Sequence, residues 1–116
     1  MNEHEKWLAN RITTTPISDE GEKKCIDSLT KKNISDAELW SSIDVLEVLL
    51  SPDALPALLS FIKAEERNIL LRRRAAKAIS VIGSSYIETE LRTLLSSPSS
   101  ELRLLAEVAL GTRSLP

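Results

Sequence analysis

A stretch of thirteen residues that recurs in part further along the chain limits what this sequence can fold into. Residues 71–83 read LRRRAAKAISVIG, and residues 102–111 read LRLLAEVALG. The second aligns on the first without a gap, at an offset of 31 residues. The aligned pairs are Leu71 and Leu102, Arg72 and Arg103, Ala75 and Ala106, and Ala78 and Ala109. A fixed period in this range is typical of stacked helical repeats and not of a compact enzyme domain.

The spacing inside the first copy predicts a helix. Its apolar residues recur at helical intervals and form one stripe: Leu71, Ala75, Ala78, Ile79 and Ile82. The alanines favour helix and let a neighbouring helix approach closely. Gly83 stands where the stripe ends, as a C-terminal cap in the left-handed region does.

A second helix is predicted before each copy, so the unit is a pair of helices. Ser51 and Pro52 open one helix, whose apolar side carries Leu55, Leu58, Leu59 and Ile62. The other runs over residues 86–96, with Ile87, Leu91, Leu94 and Leu95 on its apolar side. Ser97 and Pro98 then read as the N-cap and first turn of the second copy.

These pairs resemble HEAT-like repeats, in particular the short kind named after phycobilisome lyases. That pattern is V-R-x-x-A-A-x-A-L-G-x-I-G after a helix reading A-L-P-x-L-L. Residues 71–83 fit with Leu for Val, Ile for Leu and Ser80 for the first Gly, and residues 54–59 read ALPALL. Residues 102–111 carry Glu107 at the second Ala, and the likeness covers residues 51–111. It implies a right-handed α-α superhelix and specifies fold better than function.

The first half of the chain fits the same plan more loosely. Residues 2–14 predict a short amphipathic helix that caps the stack, with Trp7, Leu8 and Ile12 on its apolar side. Ser18 caps the next helix, which buries Cys25, Ile26 and Leu29. Ser35–Glu38 is a capping box, opening a helix whose core face is Leu39, Ile43, Leu46, Leu49 and Leu50.

We therefore predict an all-α HEAT-like solenoid of about three antiparallel helix pairs, about seven helices in all, with no sheet. The single domain comprises residues 1–17 as the N-terminal cap, 18–50 as a degenerate pair, and 51–83 and 84–111 as repeats. At 116 residues this is the length of one domain.

Composition excludes several kinds of chemistry. A single cysteine and a single histidine exclude an internal disulfide and a metal site rich in either residue. Three glycines provide no phosphate-cradling loop, and no activated nucleophile is identifiable. We therefore expect no enzyme activity, no cofactor and no metal. No apolar run resembles a signal peptide or a membrane span, so we expect a cytoplasmic protein with no membrane partner.

The charges indicate a basic candidate surface. Net charge is −2, but residues 1–58 carry −5 and residues 59–116 carry +3. Arg73, Arg74 and Lys77 form a basic strip that could bind an acidic protein or phosphates. The HEAT-like resemblance implies instead a structural role for Arg72 and Arg103, as a ladder between repeats.

A second candidate lies on the helix that follows the capping box. Trp40 and Asp44 are four residues apart and share a face. HEAT-like DNA glycosylases use an aromatic side chain and a carboxylate on their concave surface, but their chains are much longer. Core packing or contact with a partner is the better interpretation of Trp40.

These patterns together predict a non-catalytic protein–protein interaction module. Concrete forms are a scaffold or adaptor, a bacterial inhibitor or immunity-type protein, and an accessory subunit or lyase-like chaperone of an enzyme. The alternative is nucleic-acid binding through Arg73, Arg74 and Lys77, against which stand the acidic balance and the few aromatic residues. We expect a protein partner in preference to a nucleic acid or a small-molecule ligand.

Overall fold

A computed structural model describes residues 19–112 of the chain. This part contains six α-helices and no strand, which confirms the all-α class for the residues described. The helices are α1 (Asp19–Ser28), α2 (Asp36–Val48), α3 (Leu55–Lys63), α4 (Ile69–Ile82), α5 (Glu88–Leu94) and α6 (Ser100–Ala109). The predicted cap over residues 1–17 and its helix over 2–14 lie outside the described residues.

The even-numbered helices begin at side-chain caps spaced by about one repeat. Ser35 Oγ accepts a hydrogen bond from the amide of Glu38, 3.2 Å away. Asn68 Oδ1 accepts from the Leu70 amide at 2.9 Å. Ser99 Oγ accepts from the Leu102 amide at 3.2 Å. Each cap satisfies an amide that has no partner inside its helix, and the cap at Ser35 was predicted.

The predicted start of the last helix was wrong. Ser97 and Pro98 do not open α6, because Ser99 is its cap and Ser100 its first residue. Ser97 Oγ instead accepts a hydrogen bond from the Ser99 amide at 3.1 Å, which shapes the turn before the helix. The preceding helix is also shorter than residues 86–96, because residues 85–87 form a 3-10 turn and α5 ends at Leu94.

Each even-numbered helix is followed by a residue with a positive φ: Leu50 (51°), Gly83 (116°) and Gly111 (79°). Leu50 and Gly111 lie one residue beyond the C-caps of α2 and α6, whereas Gly83 is itself the C-cap of α4. After α2, the Ser51 amide donates to the Leu46 carbonyl and the Leu50 amide to the Glu47 carbonyl. This pair of bonds is a Schellman motif, which satisfies carbonyls left open at a helix C-terminus. Leu50 is 54% exposed, so its predicted place in the core is wrong.

Helix α4 lies at the centre of the described structure and packs against α2, α3 and α6. Four residues of its predicted apolar stripe are buried, of which Ala75, Ala78 and Ile79 are fully inaccessible to solvent, and Ile82 is partly buried. Ala76 is also fully buried. Small side chains on several sides of one helix allow helices to approach it closely on each of them. Residues 71–83 therefore form the helix that joins α2, α3 and α6.

The remaining contacts follow the order of the chain. Each odd-numbered helix packs on the even-numbered helix that follows it: α1 on α2, α3 on α4, and α5 on α6. The even-numbered helices also contact one another in sequence, α2 with α4 and α4 with α6. Cys25 and Ile26 of α1 lie partly buried against the core, and Leu29 is buried.

Arg72 is a buried arginine that joins three helices. It is 1% exposed, and its Nε and Nη2 donate to the Ile62 carbonyl at 3.0 and 2.8 Å. Ile62 lies in the last turn of α3, where carbonyls have no partner inside the helix. Nη1 of Arg72 donates to the carboxylate of Glu101 in the first turn of α6.

Arg103, which aligns with Arg72, also donates to a preceding backbone carbonyl, one that is closer to it in the chain. Its Nη1 donates to the Ser97 carbonyl at 2.6 Å, in the loop between α5 and α6. The bonds of Arg72 to α3 and α6 agree with the ladder between repeats that was expected, whereas the bond of Arg103 stays within its own helix pair. Neither guanidinium is an unoccupied cation.

The positive φ at Leu50 predicts that glycine is the better residue there. A left-handed conformation costs a side chain with a Cβ about 1–2 kcal/mol. We expect Leu50→Gly to be about 1 kcal/mol more stable than Leu50→Ala, because both remove the same exposed side chain and only glycine relieves the backbone. Urea unfolding of the two variants measures the difference.

The reciprocal control is Gly83→Ala. A Cβ at Gly83 would meet no atom within 4 Å, so any loss of stability reports the backbone alone. If Leu50→Gly is less stable than Leu50→Ala, the strain is absent.

Arg72 predicts a large and asymmetric effect of substitution. Arg72→Met removes all donors to the buried Ile62 carbonyl, so we expect a loss of about 2–3 kcal/mol in the free energy of unfolding. Glu101→Gln should cost less than Arg72→Met, because glutamine keeps an acceptor oxygen for Nη1 and both bonds to the Ile62 carbonyl remain. Chemical denaturation measures both, and equal losses would contradict the assigned role of the carbonyl.

Candidate functional site

The predicted site residues lie on α2 and α4, beside the buried faces of these helices. Trp40 and Asp44 are on α2, one turn apart, and Trp40 is exposed. Arg73, Arg74 and Lys77 are on α4, where Lys77 is exposed and both arginines are partly buried. The two groups meet, because α2 packs against α4.

Arg74 connects the two helices through two carboxylates. Its Nε and Nη2 donate to Asp44 Oδ1 at 3.0 and 2.6 Å. Its Nη2 also donates to Glu47 Oε2. The side chains of Arg74 and Glu47 are 14% and 17% exposed, whereas Asp44 is 46% exposed. A guanidinium presents several donors in a fixed plane, so it can hold two carboxylates of a neighbouring helix together.

The surroundings of Arg74 keep it charged. Burial acts to lower the pKa of its guanidinium, but hydrogen bonds and charges from Glu47 and Asp44 oppose burial and raise the pKa overall. The cluster therefore carries one positive and two negative charges wherever both carboxylates are ionised.

The basic strip expected from the sequence is divided by this pairing. Arg74 was expected to be free for a partner, but it is committed to Asp44 and Glu47 inside the protein. Arg73 is half-buried, and its Nε has no hydrogen-bond partner among the described residues. Lys77 is exposed, four residues further along the helix. The outward basic residues of the strip are Arg73 and Lys77.

Two contacts show that α2 and α4 run parallel. At the helix starts, Asn68 Nδ2 donates to Asp36 Oδ2 at 3.1 Å. About two turns further on, Arg74 binds Asp44. Both contacts follow the same order along the two helices. Residues that precede the ion pair on α2 therefore lie at the same end of it as residues that precede it on α4.

Four large apolar side chains are exposed around this ion pair. Trp40 (43% exposed) and Val48 (75%) lie one turn before and after Asp44 on α2. Leu70 (58%) and Val81 (48%) lie on the same flank of α4 as Arg74. We call Trp40, Val48, Leu70 and Val81, with the Arg74–Asp44–Glu47 cluster between them, the α2–α4 surface.

The α2–α4 surface combines exposed apolar side chains with an arginine paired to two carboxylates, and the exposed Lys77 lies one turn from Arg73 on the same helix. In residues 19–112 no three His, Cys, Asp or Glu side chains are grouped so as to hold a metal ion. Within the same residues, no helix has the length and apolar character needed to span a membrane.

Sequence reasoning singled out Trp40 and missed Val48, Leu70 and Val81. A signal for them exists in the helical spacing. Leu70, Lys77 and Val81 recur at intervals of seven and four residues, on the side of α4 opposite Leu71 and Ala75. Apolar residues on the polar side of an amphipathic helix mark exposed hydrophobic surface.

Comparisons of this chain with protein-family models, with curated proteins and with solved structures gave no match.

The Arg74 cluster predicts unequal couplings in double-mutant cycles. We expect the cycle of Arg74→Met with Glu47→Gln to give a coupling of about 1 kcal/mol, because both side chains are mostly buried. The cycle with Asp44→Asn should give less, since Asp44 is 46% exposed. Raising the salt concentration should weaken the coupling of Arg74 with Asp44 more than its coupling with Glu47. Unfolding in urea, without guanidinium salts as denaturant, measures both couplings. A larger coupling for Asp44 than for Glu47 would contradict this ranking.

Proposed function

We propose that this chain is a non-catalytic protein-binding module that recognises its partner through the α2–α4 surface. The observation that carries the proposal is the exposure of Trp40, Val48, Leu70 and Val81 on two parallel helices in contact. Apolar side chains clustered on a surface typically mark a site of protein association. Trp40 is the anchor, because tryptophan contributes strongly at the centres of interfaces.

The ion pair between the helices supports this function by fixing the surface in advance. Arg74 binds Asp44 and Glu47, so α2 and α4 are joined in the absence of a partner. A preformed surface lowers the entropy that must be lost on binding. The exposed Lys77 favours a partner with a carboxylate at the edge of its apolar patch.

We further infer that the helix pairs form a short HEAT-like superhelix. The recurring caps, the positive-φ ends and the Arg72 and Arg103 bonds to preceding carbonyls support it. HEAT-like repeats commonly present a helical surface to another protein. In this reading the chain acts in the cytoplasm as an adaptor or as a bacterial inhibitor or immunity-type protein, with an accessory subunit of an enzyme as a further form.

Nucleic-acid binding is the weaker candidate. Of the three residues that would supply it, Arg74 is committed inside the protein to Asp44 and Glu47. Arg72 and Arg103 add no cation, because both are bonded to backbone carbonyls. Each phosphate contact needs an available cation, and Arg73 and Lys77 leave the strip with few. The chain also carries a net charge of −2, which opposes association with a polyanion.

Differential capture from a lysate of the native host tests the proposal. We expect the wild-type chain to retain a specific protein and the Trp40→Ser/Val81→Ser double variant to lose it, with at least a tenfold lower affinity in a titration of that protein. The matched control is Tyr86→Ser, which removes an exposed aromatic side chain (80% exposed) outside the α2–α4 surface. Circular dichroism establishes that each variant keeps its helix content.

Two outcomes would contradict the proposal. One is equal retention of every captured protein by the double variant and the control. The other is binding to duplex DNA or single-stranded RNA whose log affinity falls linearly with log salt, and whose slope decreases in Lys77→Ala. The second outcome would establish the nucleic-acid alternative.

A further inference from the structure

A cleft at the edge of the helix stack, away from the α2–α4 surface, has the features of a small-ligand site. It has a volume of about 490 Å³ and lies between α3, the α1–α2 loop and the α3–α4 turn. Its apolar wall includes Leu29, Ala57, Phe61 and Ala64. Its polar side includes Lys32, Ser60 and Arg67. Ligand sites commonly combine an apolar wall with a few converging polar groups.

Arg67 is held in place by groups that leave part of its donor set unused. Its Nη2 donates to the Lys31 carbonyl at 2.7 Å and, more weakly, to the Leu29 carbonyl at 3.4 Å. Its guanidinium carbon lies 5.3 Å from the centre of the Phe61 ring. Among the described residues, its Nε and Nη1 have no partner. An arginine fixed at one nitrogen and stacked on an aromatic ring is preorganised to bind an anion with the others.

A second cation lies on the same cleft. The Lys32 ammonium is exposed and has no partner among the described residues, and the same is true of the Ser60 hydroxyl. Glu66 also lines the cleft and offsets one positive charge, so Lys32, Arg67 and Glu66 sum to +1. That balance matches a monoanion better than a dianion, because the carboxylate of Glu66 repels each additional negative charge.

We propose that this cleft binds a monoanionic carboxylate with an apolar body, whose carboxylate meets Arg67 and Lys32 while the body covers the apolar wall. Arginine presents two donors in one plane, which is the geometry of a carboxylate. The apolar wall adds affinity that acetate or inorganic phosphate cannot use. Such a group is carried by a free branched-chain acid and by the C-terminal leucine of a peptide, and both present the same chemistry.

A titration followed by amide NMR shifts tests this site with defined probes. We expect isocaproate to bind saturably in the millimolar range (~1–10 mM), as an anion of this size does. Residues of the cleft should show the shifts, Ser60 and Ala64 among them. Isocaproamide, which has the same body without the charge, should bind at least tenfold more weakly. Inorganic phosphate and acetate should also bind at least tenfold more weakly.

The variants separate the cleft from a general effect of positive charge. Lys32→Gln should weaken isocaproate binding at least threefold, whereas the neighbouring Lys31→Gln should not, because the Lys31 side chain does not line the cleft. Arg67→Gln should abolish binding. Ser60→Leu, which places a larger side chain in the cleft, tests the same volume without removing a structural arginine. Unfolding curves show which variants remain folded.

Two peptides distinguish the sources of the carboxylate. If Gly-Gly-Leu binds more tightly than isocaproate and its C-terminal amide does not bind, the site takes peptide ends. If isocaproate binds and the peptide does not, it takes free acids, and either result supports the proposal. Absence of saturable binding by both, equal binding of isocaproamide, or equal weakening by Lys31→Gln would overturn it. None of these results depends on Trp40 or Val81, so they test the ligand site independently of the proposed protein-binding function.

Discussion

The described structure depends on one buried cation, the guanidinium of Arg72. Helix α3 ends with carbonyls that its own amides cannot reach, and one of them is buried beside α4. Arg72 supplies two donors to that carbonyl and directs the third nitrogen to Glu101 of the next helix pair. A buried charge is tolerated only where such partners compensate for lost hydration. One side chain therefore joins the end of α3 to the first turn of α6.

Contacts between successive helix pairs share a sequence separation close to the repeat length. Arg72 and Glu101 are 29 residues apart, as are Glu22 and Ser51, whose hydroxyl donates to that carboxylate. Arg74 and Asp44 are 30 residues apart. Because α2, α4 and α6 begin at similar points of each pair, complementary side chains one repeat apart are brought together. The Arg74–Asp44 pair could have been predicted from that separation, but charge alone suggested a free cationic strip.

Several helix boundaries could be predicted from the sequence, because the side chains at those positions favour the start or the end of a helix. Ser35 and Asn68 have side chains that cap helices, and Gly83 stands where a positive φ is needed, so their positions carried direct signals. Leu50 carried no signal, because leucine rarely adopts a positive φ and its apolar character placed it in the core. Ser97 and Ser99 are both plausible caps, and only the packing of α6 selects between them. The α2–α4 surface and the cleft join residues far apart in the chain, so spacing within one helix could not define either.

The parallel course of α2 and α4 has an electrostatic consequence. Each helix carries a partial positive charge at its N-terminus, and parallel neighbours place these charges side by side, where they repel. Asp36 lies in the first turn of α2 and accepts a hydrogen bond from Asn68, the cap of α4. Glu101 stands in the first turn of α6 beside Arg72. Carboxylates at this edge thus offset part of the positive charge that the adjacent helix N-termini place side by side.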